Sequence, residues 1–113
     1  MSNLADNVEG LIKKALPTYK YKREFYVLFQ NTQLFFDFII PELKILIEVQ
    51  GQQHYTFNKF FHGTVDNFKG QVFRDRLKTE WVADSKFKLV VIKYDEVDKL
   101  TPASFKKIIT KAI

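Results

Sequence analysis

Two acidic residues stand out in the stretch FFDFIIPELKILIEVQGQQHY, residues 35–55: Asp37 and Glu48. Each lies in an apolar run that reads as a strand, and the two runs flank a turn at Pro41 and Glu42. A strand that is apolar on both faces offers a carboxylate no solvent. Burying one unpaired costs several kcal/mol, on the order of a domain's whole stability margin. These groups must therefore be neutralised, paired or bound to a cation. Closing the turn with Ile40 against Lys44 or Ile45 brings Asp37 beside or nearly opposite Glu48. Period two puts Glu48 and Gln50 on one face, with the Val49 carbonyl between them at the strand edge. Two carboxylates, an amide oxygen and a backbone carbonyl form an all-oxygen site suited to Mg2+ or Mn2+. The competing structural readings are strand-end carboxylates held by Lys or Arg and, for Gln50, an amide that satisfies the sheet edge.

The elements that must position these residues are legible from periodicity. Residues 3–16 carry Leu4, Val8, Leu11, Ile12 and Ala15 at helical spacing, with Ser2 or Asn3 as a cap and Pro17 just beyond. EFYVLFQNTQLFFDFII holds two strands separated near Asn31 and Thr32, and LKILIEVQ adds a third after the Pro41 turn. From Gly51 to about Asp66 no clean period exists, which predicts an ordered loop. NFKGQVFRDRLKTEWVAD, residues 67–84, reads as a helix with Phe68, Val72, Val82 and Ala83 on one face and Phe73, Leu77 and Trp81 on the other, both covered. KFKLVVIKYDE is a fourth strand, and TPASFKKIITKAI a last helix capped by Thr101 with Pro102 in its first turn. The order is α-β-β-β-α-β-α, an α/β fold. The strand–helix–strand passage over residues 43–94 implies a right-handed crossover and a mixed sheet flanked by helices.

The 113 residues, 46% hydrophobic and rich in Phe, are expected to make a single domain with one core, residues 1–113. The chain has no Cys, which excludes disulfides and Cys-based zinc. No basic leader precedes an apolar run, and no apolar stretch nears the ~20 residues of a membrane span, so a soluble cytoplasmic protein without membrane partners is expected. The net charge of +5 is compatible with a polyanionic partner.

Taken in order, these motifs resemble the PD-(D/E)XK nuclease superfamily, and more closely its very-short-patch-repair-like branch, the EDxHD group, with related small phage-type endonuclease domains. The resemblance runs from Glu9 to about Asp95. It rests on NVEGLIKKAL for a helical glutamate at Glu9, FFDF for the aspartate strand at Asp37, and IEVQGQQHY for Glu48, Gly51 and His54. RDRLKTEW adds an acidic position at Asp75 with Lys78 one turn on. The resemblance implies a restriction-endonuclease-like sheet, DNA as partner, and catalytic roles for Glu9, Asp37, Glu48, Gln50, His54, Asp75 and Lys78. It also implies metal held by Asp37, Glu48 and Val49. Most superfamily members carry Lys where Gln50 stands, which moves proton transfer elsewhere. His54, with an ordinary pKa of about 6.5, is the base the branch suggests. Neither zinc nor mismatch specificity carries over.

The expected activity is Mg2+- or Mn2+-dependent hydrolysis of DNA phosphodiesters, by nicking as a monomer or by cutting both strands as a homodimer. The setting implied is a bacterial or phage-infected cell. One alternative is a nuclease-fold DNA-binding or interaction module without turnover. Another is a nuclease subunit, RNA-directed included, targeted by a partner protein, since no helix-turn-helix, zinc finger or basic arm is present to read sequence.

Overall fold

The computed structural model describes residues 3–51 and 65–113. Helix α1 (Asn3–Ala15) leads into strands β1 (Lys22–Phe29), β2 (Thr32–Ile40) and β3 (Ile45–Gln50). Helix α2 (Val65–Ala83), strand β4 (Lys88–Lys93) and helix α3 (Pro102–Ala112) follow. This is the α-β-β-β-α-β-α order expected from the sequence. The sheet runs β1-β2-β3-β4, with the first two pairings antiparallel and β3 parallel to β4. The mixed sheet follows from chain connection, because tight turns join β1 to β2 and β2 to β3 whereas α2 lies between β3 and β4.

Local chemistry explains each junction. Gln30 and Asn31 both take positive φ, 50° and 59°, as a two-residue hairpin turn of matching twist requires. Phe29 pairs with Thr32 to close it. Pro41–Leu43 form a single 3-10 turn, and Lys44 reverses the chain at φ 55° while its N–H bonds the Pro41 carbonyl at 3.1 Å. In α3 the Thr101 hydroxyl accepts the Ser104 N–H at 3.1 Å and the Ser104 hydroxyl accepts the Thr101 N–H at 2.9 Å. Pro102 follows where its missing N–H costs nothing.

Over β3 and the last residues of β2 the sheet is covered on both faces, which is why those stretches read as apolar runs, whereas burial alternates along β1 and β4. On one face, Phe38, Ile40, Ile45, Ile47, Val90 and Ile92 pack with residues of α1 (Val8, Ile12) and α3 (Phe105, Ile109). On the other, Phe36, Ile39 and Leu46 pack beneath Trp81 and Val82 of α2. Trp81 belongs to this core, with ring contacts to Phe25, Phe36 and Phe87.

Helix α2 departs from expectation in two respects. It begins at Val65, inside the stretch predicted as loop. It is also not covered on both sides: Val72 is 48% and Phe73 47% exposed, while Leu77 is buried. Its helical period carries no single apolar stripe, so sequence could not say which side would meet the sheet.

The structure also contains a switch of faces that sequence does not announce. Phe36 and Phe38, two residues apart on β2, belong to opposite cores. Their partners do likewise: Arg23 lies over the Phe38 ring, while Phe25 packs on Phe36. Between them the β1–β2 ladder passes over Glu24 and Asp37, and Glu24 has φ 56°. Both strands turn over at that level, and β2 parts from β3 there, since their pairing ends at Phe38 and Ile47.

Candidate active site

The parting of β2 from β3 leaves backbone donors without a ladder, and two carboxylates take them. The Asp37 N–H donates to Glu48 Oε1 at 3.1 Å, and the Val49 N–H donates to Asp37 Oδ2 at 2.7 Å. The register, with Ile40 opposite Ile45 and Phe38 opposite Ile47, sets Asp37 level with Glu48. The pairing inferred from the Pro41 turn is therefore the observed one. Buried backbone groups need partners, so these reciprocal bonds fix both side chains.

Glu48 is the one buried charged residue among those described, 4% exposed. It shares Leu46's face of β3 and meets α2 there: Lys78 Nζ stands 3.1 Å from Glu48 Oε2 and lies over the Phe36 ring at 5.6 Å. Burial pushes the Glu48 carboxyl up to about 7, and the Asp37 carboxylate pushes the same way, while Lys78 opposes both. Two influences thus conflict, and desolvation outweighs the ion pair, as expected for a carboxylate removed from water.

Asp75 and Lys78 lie one turn apart on α2 and line one cleft of about 300 Å3 with Gln33, Phe35, Gln71 and Arg74. Gln71, Arg74, Asp75 and Lys78 follow the i, i+3, i+4, i+7 spacing that forms a single ridge. That spacing was the available signal for Gln71 and Arg74, which sequence reasoning did not assign to the site. Gln50 is half-buried at the end of β3 and paired in register with Lys93 of β4.

Glu9 is engaged elsewhere. Tyr21 donates to its Oε2 at 2.5 Å, and Arg23 donates to its Oε1 at 3.1 Å and to Asp6 Oδ1 at 2.9 Å. The Tyr21 hydrogen bond, ahead of the pull of Arg23 and Lys13, holds the Glu9 carboxyl below its ordinary value. These contacts tie α1 to β1 at the level where the strands turn over. His54 lies outside the described residues, as does the Phe-rich stretch around it, residues 52–64.

No protein-family model matches the chain, and no solved structure matches it. Two curated relatives are viral. The chain is 35% identical over 68 residues to a protein of Invertebrate iridescent virus 6 titled "Uncharacterized protein 307L", a match covering 60% of this chain and 34% of that protein. It is 33% identical over 54 residues to "Uncharacterized protein 033L" of Invertebrate iridescent virus 3, covering 48% of this chain and 28% of that protein. The chain thus spans about a third of the length of the curated relatives it matches. Their source is invertebrate viruses, whereas the motifs had suggested a bacterial or phage setting.

Among the described residues no helix is long and apolar enough to cross a membrane. Nor do three or more His, Cys, Asp or Glu side chains gather there in a group that holds a metal. A cation at Asp37 and Glu48 would take these two carboxylates and complete its shell with the Val49 carbonyl and water, as Mg2+ commonly does. The donor chemistry fits. All the donors are hard oxygens, and a Glu48 carboxyl displaced upward by burial and a like charge is a group that a cation would stabilise.

Proposed function

We propose that the chain is a divalent-metal-dependent endonuclease domain that hydrolyses DNA phosphodiesters, with its active site where β2 parts from β3. The observation that carries this reading is a buried Glu48 locked to Asp37 through backbone N–H groups, with Lys78 against it at the edge of an open cleft. Structural stabilisation alone gives little reason to bury a carboxylate next to a second one.

Asp37, Glu48 and the Val49 carbonyl would hold Mg2+ or Mn2+, which when bound supplies Lewis-acid polarisation of the phosphate and a more acidic water. The protein's own groups do the rest. The two N–H bonds hold the carboxylates in place before any ligand arrives. Lys78 brings to the site the positive charge that Gln50 lacks, and can turn from Glu48 to a phosphate oxygen. His54, from the resemblance, accepts the proton of the attacking water. Arg74 extends the positive charge along the cleft. With one such site among the described residues, a monomer nicks, and cutting both strands takes a homodimer or a second binding event. Target choice then falls to a partner protein, and the setting is the cytoplasm of a virus-infected cell.

One observation favours a rival reading. Lys78 already satisfies Glu48 at 3.1 Å, as a nuclease-fold binding module without turnover would arrange it. Incubating plasmid, linear duplex, branched DNA and RNA with Mg2+, Mn2+ or EDTA separates the two. Metal-dependent cleavage supports the nuclease, and DNA binding without cleavage in any metal supports the module.

A further inference from the structure

We propose that Tyr26 and Phe35, exposed on the β1–β2 hairpin, form a stacking platform for an unpaired base of the strand being cut. The domain would then prefer single-stranded or splayed DNA to continuous duplex. This rests on the endonuclease reading and names its substrate class.

The hairpin meets its need for apolar burial on one side only. There Leu34 and Phe36 are fully buried, and Phe25 packs against Trp81 and Phe87. On the other side Tyr26 pairs directly with Phe35 across the ladder, ring centroids 5.3 Å apart, with Tyr26 46% and Phe35 50% exposed. Leu28 beside them is exposed as well. The core does not bury these groups, and clustered exposed apolar side chains mark a binding surface.

The surroundings select the occupant. Phe35 also lines the cleft that holds Arg74, Lys78, Gln33, Gln71 and, among the described residues, a single carboxylate, Asp75. Aromatic faces next to a cationic groove are the recurring means of holding single strands, since every base offers a π-face once unstacked and none does inside a duplex. Phe35 stands two residues before Asp37, about 7 Å along an extended strand. Through the cleft that Phe35 shares with Lys78, a base stacked there would lead its own phosphate, or the next one, toward the end of the site that Lys78 holds at Glu48. An apolar protein partner or a second copy of this chain would cover Tyr26 and Phe35 equally well, but would have no use for Arg74 and Lys78 in the cleft beside Phe35, with Lys78 in turn against Glu48.

The test measures binding in EDTA, where no cleavage intervenes, using fluorescein-labelled oligo-dT, a splayed duplex and a blunt duplex by anisotropy. The single strand and the splayed duplex are expected to bind the wild type roughly tenfold or more tightly than the blunt duplex. Phe35→Leu, which keeps apolar bulk, should remove that preference, and Phe35→Trp should keep it, with melting temperatures confirming that both variants fold. Equal affinity for all three probes, or an unchanged preference in Phe35→Leu, overturns the proposal. So does concentration-dependent dimerisation that Tyr26→Ala abolishes, since the patch would then be an interface between copies. Metal-dependent cleavage of blunt duplex combined with equal binding of the three probes would sink the platform while leaving the nuclease standing. A preference for the single strand with no cleavage in any metal would leave the platform and remove the nuclease.

Discussion

Asp37 and Glu48 hold one another in place through the backbone: each carboxylate accepts an N–H from the other strand, at 3.1 Å from Asp37 and 2.7 Å from Val49. The arrangement replaces one rung of a β-ladder with two charged side chains. Like charges are thereby brought close at a position that is largely shielded from water.

Replacing Asp37 by Asn keeps an oxygen for the Val49 N–H and removes one charge. Because Asp37 is one of the groups pushing Glu48 upward, the metal-free variant should be as stable as the wild type or slightly more so. Its stabilisation by Mg2+ or Mn2+ should shrink, since that gain depends on binding to the folded state. Thermal melting in EDTA and in metal checks both. A variant melting far below wild type in EDTA would make the carboxylate a structural ion-pair partner.

Glu48 predicts a pH dependence of definite sign. Its folded carboxyl titrates at about 7 against an ordinary 4.5, so the folded chain holds that proton more tightly than the unfolded one. The contribution is fully present below about 4.5 and is lost as pH rises through about 7, on the order of 3 kcal/mol in all. Glu48→Gln should flatten this slope in urea titrations across that window. Metal stabilisation of the wild type should grow over the same range, because cation and proton compete for one carboxylate.

Lys78→Met tests the ammonium. Without it Glu48 loses the one influence from α2 that favours its charged form, so its carboxyl should titrate higher than in the wild type. The cost should be about 1–3 kcal/mol at pH 8 and much smaller at pH 5, where Glu48 carries its proton. Chemical denaturation at the two pH values reads this directly. Equal losses at both would mean that Lys78 acts by packing on Phe36 alone.

Sequence reached the element order because each boundary has its own chemical mark: Thr101 and Pro102 at the last helix, Pro41 at the β2–β3 turn, and the stripe from Leu4 to Ala15 in the first. It reached the Asp37–Glu48 pair because a tight turn fixes register, and register fixes which side chains meet. It did not reach the turning-over of β1 and β2, since Glu24 adopts φ 56° without a glycine to signal it. Nor did it select Glu48 as the partner of Lys78, because α2 offers apolar residues all round and only packing against the sheet decides its buried side. The occupation of Glu9 by Tyr21 and Arg23 was likewise hidden, being a contact across sheet and helix that no local spacing encodes.

His54→Ala should lower cleavage by roughly 100-fold or more, the usual size for loss of a general base, while the metal-induced rise in melting temperature persists. Single-turnover cleavage alongside melting in Mg2+ makes the comparison. Unchanged turnover would return His54 to a structural role and leave proton transfer to another group.

The central claim is that Asp37 and Glu48 hold the metal with which this domain hydrolyses DNA. The most direct measurement is conversion of supercoiled plasmid to nicked circles by wild type, Asp37→Asn and Glu48→Gln, each shown to be folded, in Mg2+, Mn2+ and EDTA. The account predicts nicking by the wild type in metal only, and none by either variant in any condition. Nicking that survives in EDTA or in Asp37→Asn, or its complete absence from folded wild-type protein in both metals, would contradict it.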